Sequence, residues 1–174
     1  MSEISRLFLA ASRGAFSKWL ERIEKCVGQL TPEQVWWRGA DNSNAIGNLV
    51  LHLNGNMRQW IVSGVGGAPD SRDRDAEFAR REPLAAAEIL ARLQATVAEA
   101  DLVLARLTDE DLQGRRTIQG YGVTVLEAIH HVTEHFALHS GQILYATKLL
   151  TGTDLGFYRH LQQKGQSPPD PTSP

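Results

Sequence analysis

His130-His131-Val132-Thr133-Glu134-His135-Phe136-Ala137-Leu138-His139-Ser140-Gly141-Gln142-Ile143 holds four of the six histidines in a chain of 174 residues. Three of them, His131, His135 and His139, recur every four residues. Residues four apart on an α-helix share a face, about 5–6 Å apart between Cβ atoms. Two neighbouring imidazoles at that spacing reach one metal ion, because ring nitrogens sit about 2.0–2.1 Å from zinc. Three in a row do not, since His131 and His139 lie about 12 Å apart along the axis at 1.5 Å per residue. The stretch therefore offers one chelating pair, and a third ligand must come from another part of the chain. Ala128, Val132, Ile143 and Ala146 mark the inward side of this helix, and His135 with His139 falls among them. His131 is better suited to a supporting role, and His130, about 100° away from it, points toward solvent or a helix contact.

Outward from that stretch, the chain reads as four long amphipathic helices. Residues 4–30 carry Ile4, Leu7, Phe8, Ala11, Ala15, Trp19, Ile23, Val27 and Leu30 at the 3.6-residue period. Thr31-Pro32-Glu33 ends this helix and opens a short turn. Trp36 and Trp37 read as the rim of the core. A second helix is expected from about Ser43 to Ser63, with Ile46, Leu49, Val50, Leu53, Met57, Trp60 and Ile61 as its stripe. It contains no Asp or Glu, but carries His52 between Asn48 and Asn56. Residues 70–82 are charged with mixed sign and read as a solvated excursion. Pro83 opens a third helix with a seam of Leu90, Leu93, Val97, Ala100, Leu104 and Leu107. Thr108 to Asp111 caps a short turn, Gly120 to Thr124 reads as a loop, and the fourth helix runs from Val123 to Leu150 with Gly152 as its stop. Leu155 to Leu161 suits a further helical turn or two. Residues 1–163 form one domain, and the proline-rich residues 164–174 read as a disordered tail.

Composition narrows the function. Apolar residues make up 42% and charged residues 22%, with a formal charge of −2. That balance is globular and gives no basic footprint for nucleic acid. No apolar run is long enough to span a membrane. The single cysteine, Cys26, has no internal disulfide partner and sits in an apolar helical pattern, so it reads as buried filler in a cytoplasmic protein.

The two halves echo each other weakly. Leu30-Thr31-Pro32-Glu33 precedes His52, and Leu107-Thr108-Asp109-Glu110 precedes His131, after similar intervals. Two helical hairpins related by a pseudo-twofold axis would make the second and fourth helices equivalent. That makes His52 a candidate third ligand. Familiar metal sites fit poorly. Phe136 occupies the slot where an H-E-x-x-H protease needs its glutamate. A di-iron bundle finds one Glu-x-x-His match at Glu127 to His130, and the acid-free second helix cannot supply its share. A closed structural zinc site usually needs more cysteines. One metal held by three neutral histidines with an open position remains.

The segments Leu30-Thr31-Pro32-Glu33 with Trp37-Arg38, Leu49-Val50-Leu51-His52-Leu53, and His135-Phe136-Ala137-Leu138-His139-Ser140-Gly141-Gln142-Ile143 resemble the DinB-like superfamily, over roughly residues 4–150. The resemblance implies an all-α four-helix bundle with a long crossover between the second and third helices, which residues 64–82 would form. It implies that His52, His135 and His139 bind one divalent metal, zinc or nickel, and that the protein is a homodimer. It also implies relatives among thiol-dependent S-transferases and isomerases, such as bacillithiol transferases and mycothiol-dependent maleylpyruvate isomerase. Asn48, Asn56, His131 and Gln142 lie within a turn of a ligand and are candidates to orient ligands or a small-molecule substrate. The leading expectation is therefore a metal-dependent enzyme that joins a low-molecular-weight thiol to a small electrophile. A metal-dependent hydrolase and a non-catalytic, stress-related metal-binding dimer are the alternatives.

Overall fold

The computed structural model describes residues 1–159. Four long helices form the bundle. α1 spans Glu3–Val27, α3 spans Ile46–Met57, α5 spans Ala86–Ala105 and α7 spans Val125–Thr151. Between them lie short helices α2 (Pro32–Val35), α4 (Arg74–Ala79) and α6 (Asp109–Gln113). α1 packs on α7 and α5, and α3 packs on α5 and α7, so the ring order is α1-α7-α3-α5. The second and fourth long helices are thus neighbours, as the internal echo requires. The echo is physical as well. Thr31 and Thr108 each cap a short helix with a reciprocal side-chain bond, from Gln34 and Asp111.

α3 is the helix most enclosed by the others. Every residue from Ile46 to Leu53 is buried, which explains its lack of acids: a charged group there would cost several kcal/mol of desolvation, about what an unpaired buried ion costs. The helix starts at Ile46 rather than near Ser43, because the Asn48 side chain accepts from the Ala45 N–H at 3.2 Å and closes the first turn. It then continues as eight residues of π-helix, Arg58–Val65. Two glycines fit that change. A Cβ on Gly64 would stand 2.5 Å from Ile118, and one on Gly66 would stand 2.5 Å from the Val62 carbonyl oxygen.

Several sequence expectations change. Residues 115–124 are an antiparallel hairpin, β1 (Arg115–Ile118) and β2 (Tyr121–Thr124), where a loop over Gly120 to Thr124 was expected. Its two-residue turn, Gln119-Gly120, has φ of 51° and 81°, as a tight hairpin with the natural strand twist requires. The helix stretch at 4–30 stops at Val27, and the third long helix starts at Ala86 rather than Pro83. Residues 70–82 are mostly exposed, as expected, but two of their charged side chains turn inward. The Arg72 and Glu77 side chains are 4% and 10% exposed and pair with each other at 2.7 Å. Gly152 ends α7 with φ of 65° as expected. Trp36 packs against the core and donates to the Leu84 carbonyl at 3.0 Å, while Trp37 is exposed. Leu155 is buried, and the expected turn beyond residue 159 and the tail from 164 lie outside the described residues.

Phe136 closes the core beneath the histidines. It is 1% exposed and meets Phe16 edge-on at 5.8 Å between ring centroids. Phe136→Ala should destabilise the protein by about 3–5 kcal/mol, as deletions of buried aromatic rings do. Urea unfolding of the two proteins measures this as a lower midpoint at an unchanged slope.

Candidate metal centre

α3 and α7 bring three histidines to one point. His52 Nε2 lies 2.9 Å from His135 Nε2, and His139 Nε2 lies 3.2 Å from it. One ligand atom from each of the three lies within 4.8 Å of the other two. A tetrahedral ion with bonds of about 2.0–2.1 Å needs nitrogens about 3.3–3.4 Å apart, so the cluster is already close to the size of a metal site. Helix geometry explains who takes part. His135 and His139 are one turn apart on the inward face of α7, and His52 faces them from the buried length of α3.

Each ring is held differently. His52 donates Nδ1–H to Glu77 Oε2 at 2.9 Å. A carboxylate only accepts, so this shorter bond places the proton on Nδ1, with Arg72 Nη2 3.1 Å from the same nitrogen and donating to Glu77 Oε2, and the Nε2 lone pair faces the cluster. Arg72 reinforces the arrangement. It donates to Glu77 Oε1 at 2.7 Å and to Oε2 at 2.9 Å. Burial works to raise the Glu77 carboxyl, but its bonds to Arg72 and His52 outweigh burial and hold it below the usual carboxylate range. His139 Nδ1 lies 2.7 Å from Gln142 Oε1, which gives that ring the same polarity. His135 Nδ1 is buried and has no hydrogen-bond partner. Burial, and then the neighbouring imidazoles of His139, His52 and His131 and the Arg72 charge, push His135 down to about 3. Burial also lowers His139, with His52 adding to it against the Gln142 bond. The His135 and His139 rings are thus kept neutral, the form in which imidazole binds metals.

The expected supporting residues divide. Gln142 meets a ligand ring directly. Asn48 does not: it donates to the Glu77 and Arg80 carbonyls at 2.8 and 3.2 Å and so ties down the segment that carries Glu77. Asn56 is buried with its Oδ1 unpartnered. His131 reaches the cluster by ring packing, 5.7 Å from His135 and 4.1 Å from Trp60. Burial lowers its pKa, against Glu134. His130 is exposed beside Glu134 at 3.5 Å. Glu127 caps α7 through Thr124 and takes no part in the cluster.

Glu77 and Arg72 are the residues that sequence reasoning missed. Their charges read as solvent-facing, and the signal that would have found them is Gly55. A Cβ there would lie 1.8 Å from Glu77 Oε1 and 2.9 Å from Arg72 Nε. Only a glycine one turn from His52 lets this ion pair lie against α3.

A helical bundle with a His-His-His cluster on facing helices, one ring backed by a carboxylate, defines the class: a bundle of DinB-like fold whose three histidines could hold a metal ion. Residues 3–159 match the model of a family described as "Protein of unknown function (DUF1572)", and the chain belongs to that family. No curated protein matches the sequence. Among solved structures, the chain is similar to a conserved protein from Enterococcus faecalis, with a TM-score of 0.73 at 17% identity, covering 88% of this chain and all of that one. It is also similar to the DinB-like protein YjoA from Bacillus subtilis, with a TM-score of 0.64 at 16% identity, covering 85% and 97%. At these identities the likeness is one of fold.

Two outcomes follow from the geometry. Glu77→Gln and Gly55→Ala should each weaken zinc affinity by about 10–100-fold, the usual effect of losing the partner behind a ligating histidine; competition against a chromogenic chelator measures it. The metal-free protein should lose stability as pH falls from about 6.5 toward 3. Over that window the unfolded chain takes a proton on His135, with an ordinary pKa of about 6.5, while the folded chain, held at about 3, does not. Melting temperatures at pH 7.5 and 5.0 should fall less in His135→Gln than in the native chain.

Proposed function

We propose that His52, His135 and His139 bind one divalent metal ion, zinc or nickel, and that the protein is a metal-dependent S-transferase or isomerase joining a low-molecular-weight thiol to a small electrophile. The observation that carries this reading is the donor set: three imidazoles with Nε2 atoms 2.9 and 3.2 Å apart. It supplies three imidazole nitrogens, one fewer than the four ligands of a tetrahedral ion. A bound divalent ion supplies Lewis acidity, which lowers the pKa of a thiol or water beside it.

The chain's own groups favour thiol over water chemistry. Hydrolysis needs a general base within hydrogen-bond reach of the attacking water. Glu77 is the carboxylate at the cluster, and both its oxygens are taken by Arg72 and His52. It orients His52 and is not free to accept a proton. A thiol is a far weaker demand, since it ionises near pH 8.5 unaided. The sulfur lone pair then attacks an electrophilic carbon. A leaving group such as halide departs with its bonding electrons in a transfer, and the thiol is expelled again in an isomerisation.

No helix of the described residues is long and apolar enough to cross a membrane, and a cytoplasmic location is part of this proposal. So is a homodimer, supported by the exposed apolar row of Leu138, Tyr145 and Leu149 on α7.

The test is turnover of 1-chloro-2,4-dinitrobenzene and of iodoacetamide with a panel of small thiols, using zinc- and nickel-loaded protein. Thiol-dependent turnover that falls at least about 100-fold in His135→Ala, together with loss of bound metal, supports the proposal. Turnover of activated esters without thiol favours the hydrolase. Metal binding that raises the melting temperature, with no turnover in either assay, favours the non-catalytic metal protein.

A further inference from the structure

A cleft of about 370 Å³ lies between the π-helical segment, the hairpin and α7, lined by Trp60, Gln119, Tyr121, Val123, Glu127 and His131. His131 is the wall it shares with the metal centre. One side of that ring packs on Trp60 at 4.1 Å between centroids with the planes tilted by 38°, and one turn further along α7 His135 lies 5.7 Å away. The π-helical turn sets Trp60 in place at the end of α3, and such turns recur at functional sites.

The hairpin completes the cleft and occupies its amide groups. Gln119, in its left-handed turn conformation, accepts from Trp60 Nε1 at 3.3 Å and donates to Gln59 Oε1 at 2.5 Å. Glu127 accepts from the Thr124 backbone N–H at 2.7 Å and its hydroxyl at 2.8 Å. The indole N–H and the Gln119 amide are thus spent within the protein, and Glu127 is tied to the helix start through one oxygen, Oε2, with its charge left at the edge of the cleft. What remains toward the ligand is the apolar body of Trp60, Tyr121, Val123 and the His131 ring. Tyr121, 64% exposed, is a large aromatic left in water at the rim. The cavity behind Arg72 differs. It is lined by Arg58, Arg72 and Arg92, whose guanidiniums pair with Glu99, Glu77 and Glu88.

We propose that this cleft is the subsite for the electrophilic substrate, and that it takes an uncharged, flat, apolar group such as a substituted benzene ring, stacked among Trp60, Tyr121 and His131. It rests on the metal-dependent reading above for calling the ligand a substrate. The binding itself does not. An apolar ring gains from leaving water, and the aromatic walls favour offset or edge-on stacking. An anionic group would lose hydration and face the Glu127 charge.

The test is fluorescence titration of the metal-loaded and metal-free full chain with N-phenyl-1-naphthylamine, an uncharged aromatic probe, with metal content measured in parallel. The native chain should bind the probe in both forms. Tyr121→Ala should weaken binding about tenfold, as expected for loss of an aromatic wall. Val123→Arg should abolish it. Tyr121→Ala should keep native metal content and melting behaviour, because this exposed side chain lies on the hairpin away from the ligands; Val123 is half-buried against the core, so Val123→Arg is read beside its own melting curve. In turnover, Tyr121→Ala should raise KM for 1-chloro-2,4-dinitrobenzene and leave that for iodoacetamide unchanged. Probe affinity unaltered by either substitution overturns the subsite, as does equal or tighter binding of 1-naphthoate or 1-naphthylmethylammonium. Probe binding that follows this pattern in a protein inactive with every thiol leaves the subsite standing and removes the transferase reading.

Discussion

Three imidazoles facing one another inside a helical bundle are the constraint on which the rest of this structure depends. Such rings bring their lone pairs together only if each proton is held on the far nitrogen. The protein arranges this from outside the bundle core. The Glu77 carboxylate, itself pinned by Arg72, holds the proton of His52 on Nδ1. Gln142 does the corresponding work for His139 from one turn along the same helix. His135, between the other two, is the ring with a buried nitrogen still lacking a partner, and the one burial pushes furthest from protonation.

That requirement explains features that otherwise look unrelated. α3 is acid-free because its whole first half is enclosed. The carboxylate it cannot carry arrives instead from the crossover, on the short helix α4. Asn48 anchors that crossover by its backbone carbonyls, and Gly55 leaves the space for its ion pair. An excursion between two helices, rich in charge, thus becomes part of the centre's wall. Beyond His52 the helix widens into a π-helical turn, which places Trp60 against His131.

Much of this was legible in the sequence, for physical reasons that also mark where legibility ends. The four long helices announced themselves by period, and the i, i+4 spacing with an inward stripe selected His135 and His139. His52 was within reach because the Thr31 and Thr108 caps mark equivalent points in the two halves. Glu77 was not, because a buried ion pair and a solvated one are written with the same letters. The hairpin was missed because Tyr121-Gly122-Val123-Thr124 is short, glycine-containing and abuts a helix. Its pairing with residues 115–118 is visible only when both strands are placed. The roles of Asn48 and Asn56 were equally out of reach: helical spacing put both a turn from His52, yet Asn48 points at the crossover.

The central claim is that three histidine nitrogens hold one metal ion. X-ray absorption at the metal edge of the zinc- or nickel-loaded protein tests it most directly. The account predicts a first shell containing three imidazole nitrogens, about 2.0–2.1 Å from the ion in the zinc form, with the outer-ring scattering that imidazoles produce. A first shell without imidazole scattering, or one unchanged when His52 is replaced by alanine, would contradict it.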